Sequence, residues 1–159
     1  MAGVYNNMVR VCTMHVNLSD SRNRKRGDIM EKMFSGKRIL LAEDNELNRE
    51  LAIELLRAAG AVVEAFSNGS QALCSFEGHE SGYYSMFLTD IQMPVMDGLQ
   101  TARAIRSSSH TDGAGIPIIA ISTRTLPEDI TAARNAGINE YLSKPLHPRA
   151  LYHIMKNYL

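Results

Sequence analysis
From Lys37 onwards, short runs rich in Val, Ile, Leu and aromatic residues alternate with stretches whose apolar positions recur every three or four residues. The run RILLAE (38–43) predicts a buried strand. Asn45 then caps a helix in which Leu47, Leu51 and Leu55 recur at every fourth position as its apolar stripe, and Gly60 stops it. AVVEAF (61–66) predicts a second strand, SQALCSF (70–76) a second helix and YSMFLTD (84–90) a third strand. A third helix over 98–108 is followed by the loop SSHTDGAG and a fourth strand, IPIIAIS (116–122). A fourth helix over 127–136 ends at Gly137, NEYLS (139–143) is a short fifth strand, and LHPRALYHIMKNYL (146–159) closes the chain with a fifth helix. Strands that alternate with helices imply βαβ units and an α/β fold built on a parallel sheet. The strands are near-continuous apolar runs, as expected when helices cover both faces of that sheet. No unit repeats another in sequence.

The first 36 residues have no such period. They hold five of the nine Met residues, a polar stretch NLSDSRNRKRGD (17–28), and six basic against three acidic residues. This segment reads as a linker or N-terminal extension, partly disordered, ahead of a domain over 37–159. MVRVCTMHV (8–16) alternates well enough to be one strand, and the short basic run Arg22, Arg24, Lys25 and Arg26 reads as solvated linker.

Composition narrows the function. Seventeen Lys and Arg balance seventeen Asp and Glu, which gives no general attraction to nucleic acid or anionic membrane. The two cysteines, Cys12 and Cys74, have neither metal-site nor disulfide-framework spacing and read as small buried hydrophobes in a reducing, cytoplasmic setting. No apolar run approaches the ~20 residues of a membrane helix, and there is no signal-peptide pattern at the N-terminus. His79, His110, His147 and His153 form no ligand spacing and read as surface residues.

The informative polar residues stand at strand ends. In open parallel sheets ligands bind beyond the carboxyl ends of the strands. Here the first strand finishes at Glu43 and Asp44, the third at Asp90, the fourth at Ser122, and Lys144 follows the fifth. Any one of these has an ordinary explanation: a strand-end Asp is usually a cap or turn former, as Asp97 is also expected to be, and a Lys before Pro is usually on the surface. Five in register at one edge of a sheet are harder to obtain by accident. Three converging carboxylates require a cation, and an oxygen-only ligand set favours a hard ion such as Mg²⁺. An ammonium and a hydroxyl suit phosphoryl oxygens, so the pocket fits phosphoryl transfer with Asp90 as nucleophile.

These segments resemble the receiver domain of two-component response regulators. ILLAEDNELNRELA resembles its acidic-pair segment, FLTDIQMPVMDGL its phosphoacceptor segment, IPIIAIST its hydroxyl segment and YLSKPL its Lys-Pro segment, in the right order over residues 37–159. The resemblance implies a flavodoxin-like (βα)5 doubly wound sheet of strand order 2-1-3-4-5. It implies that Glu43, Asp44, Asp90 and the backbone carbonyl of Gln92 hold Mg²⁺, and that Asp90 accepts phosphate from a phosphohistidine. It implies that Lys144 pairs with Asp90 at rest and with the phosphoryl group afterwards. Ser122 would turn towards that group and let Tyr141 move inward, repacking the face of the fourth helix, fifth strand and fifth helix. The Lys144–Pro145 bond is a candidate cis peptide. Two positions depart from the common pattern. Ser122 replaces the more usual Thr, and Thr123 stands where a small residue is usual. Gln92 and Arg124 are bulky on the route of an attacking water and are expected to slow dephosphorylation.

The first helix, with Asn45 and Asn48, resembles receivers fused to histidine kinases. The expected partner is therefore a histidine kinase domain or a His-containing phosphotransfer protein, docking at that helix. The expected location is cytoplasmic, including the cytoplasmic part of a membrane-bound kinase, with no direct contact to nucleic acid or membrane. Because the chain stops at Leu159, no output domain is expected downstream. A stand-alone single-domain response regulator is the alternative. A phosphatase of the haloacid dehalogenase type needs a second Asp two residues after the nucleophile, where this chain has Gln92. A pseudo-receiver acting only as a binding module would be expected to have lost a member of the site, and none is lost.

Overall fold
The computed structural model describes residues 33–159. The strand expected at 8–16, Cys12 and the basic run at 22–26 lie outside the described residues. Five strands, β1 (Arg38–Ala42), β2 (Val62–Phe66), β3 (Met86–Asp90), β4 (Ile118–Ser122) and β5 (Glu140–Ser143), form one sheet of order β2-β1-β3-β4-β5. All four neighbouring pairs are parallel. The helices are α1 (Glu46–Ala58), α2 (Gly69–Gly78), α3 (Gly98–Ser107), α4 (Pro127–Asn135) and α5 (Pro148–Tyr158). Fold class and strand order are those expected.

Strand alternation divides the apolar residues between two cores. Ile39, Leu41, Met86, Leu88, Ile119 and Ile121 point to one face, where Ala52 and Leu56 of α1 and Leu151, Tyr152 and Met155 of α5 cover them. Leu40, Ala42, Phe87, Ile118 and Ala120 point to the other, under Ala72 and Phe76 of α2, Ala102 and Ile105 of α3 and Ala133 of α4. The central strands are therefore buried on both sides, whereas β2, at the sheet edge, is only half-buried.

Four expectations need correction. The Leu47, Leu51 and Leu55 stripe does not bury α1: Leu47 is 54% and Leu51 37% exposed, and the buried line is Ala52 and Leu56. With 3.6 residues per turn, Leu47 stands roughly half a turn around the helix from Leu56. Cys74 is exposed, because Ala72 and Phe76 take the inward side of α2. His79 and His110 are tied into the structure: His79 Nδ1 donates to the Ser75 carbonyl, and His110 Nε2 donates to the His79 carbonyl. Strands β3 and β4 start two residues later than their apolar runs. Pro117 has no N–H for the ladder, and Tyr84 is anchored by its side chain instead.

Two polar clusters hold the end of the sheet remote from the strand carboxyl termini. The carboxylate of Glu64 accepts from Tyr84 Oη at 2.6 Å, Tyr83 Oη at 2.7 Å and Arg38 Nη1 at 3.0 Å, with the Arg38 guanidinium over the Tyr83 ring. Burial alone would raise the pKa of Glu64, but the bonds from Tyr84, Tyr83 and Arg38 together hold it below the usual value. In the second cluster, Arg106 of α3 donates to the Gly137 carbonyl (2.9 Å), the Gly113 carbonyl (2.8 Å) and Asn139 Oδ1 (2.8 Å). Gly137 has φ +89°, and a Cβ there would lie 2.6 Å from Arg106 Cγ, so both the turn and the close approach require glycine. Among the described residues no helix is long and apolar enough to cross a membrane.

Candidate functional site
The carboxyl ends of β1, β3, β4 and β5 bring the expected residues to one place. Asp90 is the last residue of β3, only 6% exposed, and Glu43 follows β1, 3% exposed. Lys144, after β5, reaches both: its Nζ lies 2.7 Å from Glu43 Oε2 and 2.9 Å from Asp90 Oδ2. Burial pushes the Glu43 carboxyl above its usual pKa, against the Lys144 hydrogen bond, and the Asp90 charge adds to the rise. For Lys144, burial opposes the charge, but the bonds to Glu43 and Asp90 prevail and its pKa is raised. One ammonium thus serves two buried carboxylates, leaving a net negative charge.

Asp44, exposed, completes the acidic group: Glu43, Asp44 and Asp90 each offer a carboxylate oxygen, all within 4.8 Å of one another. This donor set fits a hard divalent ion. The other carboxylate oxygen of Asp90, Oδ1, accepts the Gln92 N–H at 3.2 Å. An open cleft of about 570 Å³ lies above, lined by Asp44, Gln92, Pro94, Asp97, Ser122, Arg124, Asp129 and Tyr141 among others.

Local chemistry explains how the chain turns around Asp90. Beyond it, Met96 N–H closes a three-residue turn on the Pro94 carbonyl, with Val95 at φ +70° and 84% exposed. Asp97 then caps α3 through a capping box with Gln100, the structural role expected of it. Gly98 is required by contact: a Cβ there would lie 2.2 Å from the Asp90 carbonyl oxygen. Opposite, Ser122 is buried, and its Oγ accepts the Arg124 N–H at 3.1 Å. Thr123 is exposed beside it. Tyr141 is half-buried, and its hydroxyl donates to the Arg124 carbonyl. The Lys144–Pro145 peptide is cis.

Two contributors escaped sequence reasoning. Arg49 Nη1 donates to the carbonyls of Glu43 (2.8 Å) and Asp44 (3.2 Å), fixing the backbone of the acidic pair. Its signal was a basic residue in the turn of helix that follows two acids. Asp129, in the first turn of α4, lines the cleft and faces Arg124, Nε to Oδ2 3.4 Å. The sequence marks it only as an acid behind a helix-starting Pro.

Comparison with known proteins points the same way. The model of the response regulator receiver domain matches residues 39–156. The chain is 33% identical over 147 residues to hybrid signal transduction histidine kinase I of Dictyostelium discoideum, covering 89% of this chain but 8% of that protein. It is 40% identical over 116 residues to a two-component response regulator of Oryza sativa subsp. japonica, covering 72% of this chain and 87% of that one. Among solved structures, the receiver domain of a Pseudomonas aeruginosa sensor histidine kinase superposes with TM-score 0.70 at 35% identity, over 78% of this chain and 98% of that chain. That structure holds a magnesium ion in its active site cleft.

Proposed function
The chain belongs to the response regulator receiver domain family, and from that membership we propose that it is a phosphoacceptor domain whose Asp90 takes a phosphoryl group from a phosphohistidine. The observation that carries this is Lys144 Nζ lying between Asp90 and Glu43 within 3 Å of each, beside a third carboxylate. Asp90 Oδ attacks phosphorus, the P–N bond to the donor imidazole breaks with its electron pair returning to nitrogen, and Lys144 neutralises charge on the transferring oxygens. Mg²⁺, held by Glu43, Asp44, Asp90 and the Gln92 carbonyl, supplies further neutralisation when bound. Gln92, Thr123 and Arg124, around the cleft, set access for water and so the lifetime of the product.

Ser122 and Tyr141 supply the switch. Both now hold Arg124, one through its N–H and the other through its carbonyl. A Ser122 hydroxyl redirected to a phosphoryl oxygen gives up the first bond, which frees the segment and lets Tyr141 turn inward against α4, β5 and α5.

The donor is a histidine kinase domain or a His-containing phosphotransfer protein. Leu47 and Leu51 of α1 and Val95, next in sequence to the cleft-lining Pro94, are exposed apolar side chains, and an apolar helical partner covers them. Residues 37–159 form the receiver and 1–36 a linker or extension. A hybrid histidine kinase is the parent we favour, since such kinases are prominent among the relatives, and the chain spans only 8% of the first of them. The rice regulator, of which 87% is covered, favours the second reading, a stand-alone regulator. The test is incubation with a small acyl phosphate and Mg²⁺. Intact mass should show one added phosphoryl group, absent without Mg²⁺ and in Asp90→Ala. An unmodified wild type refutes the reading and leaves a binding module.

A further inference from the structure
Asp129 is the remaining ionisable group in the cleft without a role. Its Oδ2 is buried and has no hydrogen-bond partner. The nearest cation is Arg124, whose Nε stands 3.4 Å away, longer than the ~2.7–2.9 Å of a charge-assisted hydrogen bond. A buried carboxylate oxygen held only by a loose ion pair is an unsatisfied group, and such groups in native structures call for an explanation.

Arg124 has an uneven set of restraints. Its backbone is pinned at both ends, the N–H by Ser122 Oγ and the carbonyl by the Tyr141 hydroxyl. Its side chain is 55% exposed at the cleft, and its acidic partner among the described residues is Asp129. The guanidinium is thus free to choose between anions, and release of the Ser122 bond on phosphorylation leaves that choice open. A phosphoryl group on Asp90 brings two negative charges and three acceptor oxygens into the same cleft, a better match for the guanidinium fork than one misaligned carboxylate oxygen.

We propose that Asp129 is a positioning residue that sets the lifetime of the aspartyl phosphate by holding Arg124 away from the phosphoryl group. This rests on the receiver reading above. Hydrolysis breaks the bond between phosphorus and the Asp90 oxygen: water attacks phosphorus from the open side, the electron pair returns to the carboxylate, and both water protons leave on dihydrogen phosphate. Arg124 lines that open side. Paired with the phosphoryl oxygens it covers the line of attack, and paired with Asp129 it leaves the line clear. Asp129 therefore accelerates loss of phosphate without touching the reacting atoms.

The experiment follows phosphoryl loss from the full chain, after loading with acetyl phosphate and Mg²⁺ and removal of donor, by intact mass against time. Asp129→Asn should lengthen the lifetime about threefold, within what a partly exposed ion pair can transmit. Asp129→Glu should restore wild-type decay, and Arg124→Ala should shorten the lifetime. Asp129→Asn should have no effect in the Arg124→Ala background. A purely structural role at the start of α4 would act alike with or without Arg124. An unchanged lifetime in Asp129→Asn, or the same change in both backgrounds, overturns the proposal. Wild type that takes up no phosphoryl group overturns the receiver reading, and this inference with it.

Discussion

Replacing Lys144 by Met removes the one ammonium between Glu43 and Asp90 while keeping most of the side-chain volume. Lys144 is 13% exposed in its side chain, Asp90 9% and Glu43 4%, so little water can replace the lost cation. Breaking a buried ion pair by deleting one partner costs ~3–5 kcal/mol in general. The loss here should be smaller, because Glu43, already pushed up by burial, can take a proton and relieve its repulsion with Asp90. The expected destabilisation is about 2–3 kcal/mol near neutral pH. Urea unfolding followed by far-UV circular dichroism measures it, since the chain has no Trp. Saturating Mg²⁺ should narrow the gap, because the variant site is more negative and gains more from the ion. A loss below ~1 kcal/mol, or a gap that Mg²⁺ leaves unchanged, would show that the three groups are not coupled as their distances imply.

Two further predictions concern the scaffold. Leu56→Ala should cost about 2–5 kcal/mol in urea unfolding, whereas Leu51→Ala should stay within ~0.5 kcal/mol yet slow phosphoryl uptake from a phosphotransfer protein; equal stability losses would contradict the assignment of the α1 faces. Glu64→Gln should lose roughly 1 kcal/mol at neutral pH, discounted for a side chain 27% exposed. Because the folded pKa of Glu64 is depressed, its contribution is present above the unfolded value near 4.5 and is lost as pH falls through the folded one. The gap between wild type and Glu64→Gln should therefore close below pH 4.5 in pH-dependent unfolding, and a constant gap would count against the network.

The fold was legible because its two signals are strong: apolar runs of strand length, and polar residues held back to the strand ends. Asp90 and Ser122 can be read as site residues because each interrupts such a run at its carboxyl end. The faces of α1 were not legible. Four-residue spacing marked Leu47 and Leu51 as core, while the buried line is the small Ala52 with Leu56, and Ala59 is buried just beyond the helix. Small residues carry little weight in a hydrophobic pattern, yet they let a helix approach the sheet. Asp129 and Arg49 were illegible for another reason: their contacts depend on where α4 and α1 come to lie over the cleft. The Glu64 network was hidden similarly, since it joins residues from β1, β2 and the segment before β3.

Arg106 has a mechanical consequence. Its three bonds fasten α3 to the Gly113 loop, the Gly137 turn and Asn139 just before β5, at the far end from the cleft, and Asn139 Oδ1 also accepts from the Ile118 N–H that opens β4. The cleft end of α4, by contrast, is joined to its surroundings through the loose Arg124 to Asp129 contact. A body clamped at one end and slack at the other swings instead of sliding. On the proposed switching, Gly137 would be the fulcrum and α4 the lever arm, so that a small push at the cleft would be amplified along the outer face while the sheet beneath kept its register.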